Sequence, residues 1–122
     1  FVIYEGCSMY FDDRQSERIF ERLAALVKGH PASRMWCDLV SRAVGSGKTD
    51  HPEIQAFLDG MARMGEPFVF GHDAPERLFG RHGLRVIRQT RSDAYLDGPA
   101  SDVFGSYRFV LLGPSPGGPL SA

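Results

Sequence analysis
The sequence is poor in the residues that signal a disulfide scaffold, a metal site or a polyanionic partner. Only two of its 122 residues are cysteines, Cys7 and Cys37, whereas a disulfide framework places many more in so short a chain. Both are expected to remain reduced thiols, packed as small apolar groups in a cytoplasmic protein. The four histidines, His30, His51, His72 and His82, are scattered and none has a partner four positions away, so no helical zinc pair is expected. Lysine and arginine total 14 against 15 acidic residues, a formal net charge of −1. With no basic stripe, neither nucleic acid nor a membrane surface is an expected partner. No apolar run approaches the ~20 residues of a membrane span, and the first residues lack the basic region of a signal peptide.

What is present suits one globular α/β domain: 43% of the residues are hydrophobic, enough to bury a modest core. Phe1 to Tyr4 is a continuous apolar run, the pattern of a strand covered on both faces, broken by Glu5-Gly6-Cys7-Ser8. Asp12 and Gln15 have capping-box spacing, and Ile19, Phe20, Leu23, Leu26 and Val27 recur at helical intervals. A helix over about 13 to 28 is therefore expected, closed by Gly29 and Pro31. Arg34 to Val40 reads as a second strand, and residues 41 to 52 as a connection. A helical stripe through Ile54, Phe57, Leu58, Met61 and Met64 ends at Gly65. Asp73, Pro75 and Glu76 mark a third helix, ending at His82-Gly83. Leu84 to Gln89 and Tyr107 to Leu112 read as strands, with a single turn near Asp93 to Leu96 between them. Residues 114 to 122 are expected to form a flexible tail.

Two local motifs are set aside on chemical grounds. GSGKT, residues 45 to 49, lies between a strand and a helix, but a phosphate-binding loop needs a glycine where this chain has Arg42. Pro52 also falls where the first turns of such a helix would lie. Ser8 and Cys7 lack the glycine pattern of a nucleophile elbow. Glu5 carries more weight. An acid at the carboxyl end of a parallel strand lies on the edge where open α/β sheets bind ligands, where it could receive a cationic or amino group. On the residues alone, a carboxylate that caps nearby loop N–H groups is an equal reading.

The ordered set YEGCSMYF, LAALVKG, RMWCDLVSR, FLDGMARMGEPFVFG, DAPERLFGRHGLRVI and YRFVLL resembles the carboxyl-terminal half of class I S-adenosylmethionine-dependent methyltransferases. In particular it resembles the leucine carboxyl methyltransferase and polyketide O-methyltransferase type, over residues 1 to 113. The resemblance implies a Rossmann-like sheet in which this chain supplies about four strands, three parallel and a last antiparallel strand inserted between the second and third. It implies that residues 41 to 72 form a substrate-covering insertion. The family's glycine-rich cofactor loop and its ribose-binding acid have no counterpart here. The chain is accordingly expected to be half of an enzyme, whether truncated, proteolysed or left by a broken frame.

By the same resemblance, S-adenosyl-L-methionine is the expected cofactor, with Glu5, beside Gly6, meeting the amino group of its methionine portion. Tyr10, Asp38, Ser41 and Arg42 are the expected small-molecule substrate contacts. For Tyr10 a place in the core, and for the other three a local hydrogen bond or solvent, are the alternatives. No catalytic residue is assigned, because displacement at a sulfonium methyl relies mostly on alignment and exclusion of water. The expected reaction is O-methylation of a carboxylate or hydroxyl, with the isolated chain inactive. The alternative is a non-enzymatic α/β remnant or binding module. Under either reading the edge of the first strand is expected to be covered, by the missing amino-terminal half or by a second copy.

Overall fold
A computed structural model describes residues 1–97 and 101–117. Four strands form one mixed sheet: β1 (Val2–Tyr4), β2 (Met35–Val40), β3 (Leu84–Arg91) and β4 (Tyr107–Pro114), in the order β1-β2-β4-β3. β1 and β2 are parallel, and β4 runs antiparallel to both β2 and β3. This is the expected α/β arrangement, the last strand entering between the second and third. An antiparallel return needs no crossover helix, and the described residues between Ser92 and Ser106 hold a 3-10 turn, Ser92–Tyr95, and the short helix α5 (Asp102–Gly105).

Helix α1 (Asp13–Lys28) begins with the expected capping box: Gln15 N–H donates to Asp12 Oδ1 (2.8 Å) and Asp12 N–H to Gln15 Oε1 (3.0 Å). It turns Ser16, Phe20, Ala24 and Val27 to the sheet. Leu26, expected in the apolar stripe, is 67% exposed. The buried row follows i, i+4, i+8 and i+11 from Ser16, which leaves Leu26 off it. On the same side of the sheet, α4 (Pro75–Gly80) contributes Leu78 and Phe79. Alternate residues of β2 (Met35, Cys37 and Leu39) meet Val110 and Leu112 of β4 in this core. Phe20 sits among three rings, Phe79 at 5.1 Å and Tyr4 and Phe70 at 6.0 Å.

Several boundaries differ from the sequence pattern. The connection after β2 contains α2 (Arg42–Gly45), capped by Ser41, whose hydroxyl accepts from Val44 N–H. Pro52 opens helix α3 (Pro52–Arg63) at its first position, where a missing N–H costs nothing. Asp73 does not cap α4; it accepts instead from Arg42 N–H (2.9 Å). β3 continues to Arg91 and β4 to Pro114. Of the expected 114–122 tail, Ser115 N–H donates to Gly83 O (3.0 Å), and residues 118–122 lie outside the described residues.

The largest departure is β1. Its apolar run reads as a strand covered on both faces, yet Phe1 is 78% and Ile3 70% exposed. Among the described residues β1 pairs only with β2, at the end of the sheet, and α1 covers the face that carries Val2 and Tyr4. The two faces of α1 can be tested together. Phe20→Ala should cost about 3–5 kcal/mol of stability in urea unfolding, whereas Leu26→Ala should change it by no more than about 0.5 kcal/mol.

Candidate functional site at the carboxyl edge of the sheet
The open face of the sheet is laid out by strand register. Residues opposite one another in a ladder share a face, so Ile3, Trp36, Leu111 and Arg88 form one row. The next row toward the carboxyl ends of β1 and β2 holds Asp38, Phe109 and Thr90, with Glu5 one step past the Tyr4–Cys37 pair. Val40 and Tyr107 make the last. Above the final two rows lies a cleft of about 420 Å³. Glu5 and Asp38 form its acidic side, and Phe57 of α3, Phe104 of α5, Tyr107 and Phe109 form its walls.

The two carboxylates are held differently. Trp36 Nε1–H donates to Glu5 Oε2 (3.1 Å), and no described residue donates to Oε1. Glu5 is exposed, so one oxygen is anchored and the other is free to meet a ligand. Asp38 is only 3% exposed. Both its oxygens accept from Gly6 N–H (3.1 Å each), and its backbone carbonyl accepts from the buried Ser8 hydroxyl (2.9 Å). Burial raises the Asp38 pKa from its ordinary 3.8; the bond from Gly6 opposes this, and the nearby Glu5 charge adds to it. Gly6 turns the chain with φ of +71°, and a side chain there would meet nothing within 4 Å, so the space above the turn is open.

The other expected contacts are distributed around this edge. Tyr10 stands edge-on to Phe68 at 5.5 Å, in a second apolar cluster that joins Met9, Val40, Val44 and Leu58, with Tyr107 packed against it. Burial, then Glu66 and Asp38, raise the Tyr10 pKa. Burial, then Tyr10 and Asp38, raise that of Tyr107 to about 12. Both phenols are therefore protonated at neutral pH and able to donate a hydrogen bond. Ser41 is engaged as the cap of α2. Arg42 lies in a separate cleft with Arg14, Glu17, His72 and Arg81. Glu5, Gly6 and Asp38 thus come together, Tyr10 stands behind them, and Ser41 and Arg42 lie apart.

Two straps hold the walls in place. The extended chain after α3 docks on the 3-10 turn Ser8–Tyr10 and on the end of β2: Val69 N–H donates to Met9 O (2.8 Å) and His72 N–H to Val40 O (2.9 Å). The approach is so close that a Cβ on Gly45 would stand 2.2 Å from Gly71 N, and one on Gly71 2.0 Å from Ser41 O. On the other side, Ser92 is fully buried and its hydroxyl donates to the carbonyls of Phe104 and Tyr107, closing the 92–106 excursion. His51 Nε2 lies 3.0 Å from Asp102 Oδ2, joining the start of α3 to α5.

The walls themselves are not marked in the sequence by any motif. Trp36, Tyr107 and Phe109 show only as strand aromatics, and their convergence depends on the β2–β4 register. The GSGKT segment is no phosphate cradle. The N–H groups of Gly45, Ser46 and Gly47 bond to carbonyls of residues 41 to 44, and Thr49 N–H to Gln55 Oε1 (2.8 Å). Both cysteines are free. Among the described residues no cluster of three or more His, Cys, Asp or Glu is placed to hold a metal, and no helix is long and apolar enough to cross a membrane.

Comparison with solved structures identifies the fold as methyltransferase-like. TnmH superposes with a TM-score of 0.56 at 13% identity over 93% of this chain. An O-methyltransferase family protein from Burkholderia thailandensis superposes at 0.54 with 19% identity over 96% of it. The chain spans 30% of the length of each. No family model and no curated protein sequence matches it.

The raised pKa of Asp38 has a definite pH signature. A carboxyl whose folded pKa exceeds its unfolded value contributes stability that is fully present below about 3.8 and is lost as pH rises through the folded pKa. Asp38→Asn removes this dependence. Whatever constant offset the amide introduces, urea unfolding should show the variant gaining on the parent chain between about pH 3 and about pH 7; a constant difference would contradict the assignment.

Proposed function
We propose that this chain is the carboxyl-terminal part of an S-adenosyl-L-methionine-dependent O-methyltransferase that acts on a carboxylate or hydroxyl of a small molecule. One observation carries the reading. In a methyltransferase-like sheet, the acid at the carboxyl end of β1 opens onto a cleft with one oxygen free, next to a glycine turn that leaves room for a ligand. Glu5 Oε1 is suited to accept from the cofactor's ammonium group, and the Trp36 bond to Oε2 fixes the direction in which it points. Gly6 has its N–H engaged by Asp38, so its contribution is space rather than a hydrogen bond.

When bound, the cofactor supplies a methyl group already activated by a sulfonium. The work left to this chain is to orient and to exclude water. Phe57, Phe104, Tyr107 and Phe109 form a low-dielectric wall beside the acid. Asp38, with both oxygens held by Gly6, shapes the turn and is not placed as a base. The 122-residue chain alone is proposed to bind the cofactor weakly and to transfer no methyl group. Titration with S-adenosyl-L-methionine to millimolar concentration should shift the amide resonances of Glu5 and Gly6 and the Trp36 indole resonance. Glu5→Gln should weaken the effect about tenfold. No shift at those positions would remove the reading.

The exposed edge of β1 supports a proposal about association. Among the described residues one side of β1 is unpaired, and Ile3 on the strand and Phe1 just before it are exposed, a template for further pairing. The solved neighbours are more than three times as long as the part this chain matches, so the proposed occupant is the amino-terminal portion of the same domain. Light scattering should then find the 122-residue chain without a defined dimer. A stable dimer dissociated by Ile3→Lys would favour a second copy as the occupant.

A further inference from the structure
A second cleft, of about 380 Å³, opens among α1, α2 and α4 and shares no lining residue with the one beside Glu5. Arg14 of α1, Arg42 of α2 and Arg81 just after α4 line it. Each is set by its own element: Arg14 follows the capping box, Arg42 has its N–H held by Asp73 Oδ1 (2.9 Å), and Arg81 ends a helix whose Leu78 and Phe79 are buried. The whole chain carries a formal net charge of −1, so three cations at one opening are a local arrangement and not an overflow of basic composition.

Two acids, Asp13 and Glu17, also line the cleft. Glu17 is engaged, with Oε2 2.8 Å from Arg81 Nη2 and Oε1 3.3 Å from His82 Nε2. Arg81 gives that one nitrogen and keeps its other donors. Among the described residues the Arg14 and Arg42 guanidiniums have no acidic partner, and Asp13 is left as the acid that opposes them. His72 stands in the same lining. Burial, then the charges of Arg42 and Arg81, hold its imidazole below the ordinary 6.5, with Arg77 adding to this and Asp73 opposing. The ring is therefore neutral at neutral pH. Its Nδ1 accepts from Ala74 N–H (3.0 Å), which leaves the proton on Nε2 as a further donor.

We propose that this cleft is an anion site that takes a phosphate group, with Arg14, Arg42 and Arg81 as its cationic donors. A tetrahedral dianion offers acceptors in several directions at once, which suits guanidiniums arriving from three elements, whereas a planar carboxylate is satisfied by one fork. The concave cationic opening concentrates such an ion, and Phe70, in the same lining, supplies an apolar surface for whatever carries it.

The test is a titration of the 122-residue chain, at fixed ionic strength and neutral pH, with inorganic phosphate, phenyl phosphate and acetate, followed by amide and arginine N–H resonances. Both phosphates should shift Arg42, His72 and Arg81, with acetate binding at least about fivefold more weakly. Phenyl phosphate binding more tightly than inorganic phosphate would support a phosphate ester as the guest, and equal binding the free ion. Arg42→Gln should weaken phosphate about tenfold, while Arg63→Gln, which removes the same charge at the end of α3, should change it by no more than about twofold. Asp13→Asn should tighten binding, a gain that loss of folding cannot imitate. Bound phosphate should also raise the His72 titration midpoint, because the anion favours the imidazolium. Acetate binding as tightly as phosphate, equal weakening by Arg42→Gln and Arg63→Gln, or no shift at these residues at millimolar phosphate would each overturn the inference.

Discussion
The sheet depends on the placement of β4. β3 has no bond to β2; each is bonded to β4, which runs antiparallel between them. Remove that strand and the sheet falls into a β1–β2 pair and a lone β3, neither with enough strands to be stable alone. The core repeats the dependence, because Val110 and Leu112 of β4 are fully buried between Met35 and Cys37 on one side and Leu84 on the other. The strand last in the chain therefore completes the core, and the pairing of residues 35–40 with 107–112 is a long-range closure that must be made before the apolar surfaces of α1 and α4 are covered together.

The same strand makes the cleft. Val110 and Leu112 face the core and the other face of the strand carries Tyr107 and Phe109, so one register decides both packing and the aromatic wall. A slip of one residue would send Tyr107 and Phe109 into the core and Val110 to the cleft. Trp36 and Asp38 on β2 are subject to the same alternation, which is why the indole that anchors Glu5 also stacks on Phe109. Packing on one face thus fixes a ligand-facing constellation on the other.

Much of this was legible in the sequence and some was not, for physical reasons. The capping box of α1 follows from local chemistry, and the antiparallel last strand is what the family resemblance implies, in agreement with the short 92–106 connection; both are found. Glu5 could be placed at the carboxyl edge because it follows an apolar strand directly. Asp38 could be placed near it, but its bonding to Gly6 spans 32 residues and no periodicity reveals such a bond. Ser41 and Arg42 follow the same strand and share its edge, yet the former caps a helix too short to leave a stripe, and the latter lies in another cleft with Arg14 and Arg81. The exposure of Ile3 was illegible for another reason: an apolar run states what a strand can bury, not what lies beside it.

Glu5 and Asp38 show how neighbouring carboxylates on one edge come to different uses. Asp38 is buried, so its charge is costly and both its oxygens are held by the turn that follows β1. Glu5 remains exposed and keeps one oxygen free, because a tryptophan on the adjacent strand holds the other. The buried acid fixes the turn at Gly6, and that turn sets the position from which the exposed acid projects. A ligand-binding role for Glu5 therefore depends on Asp38, whose two carboxylate oxygens are both held by the turn.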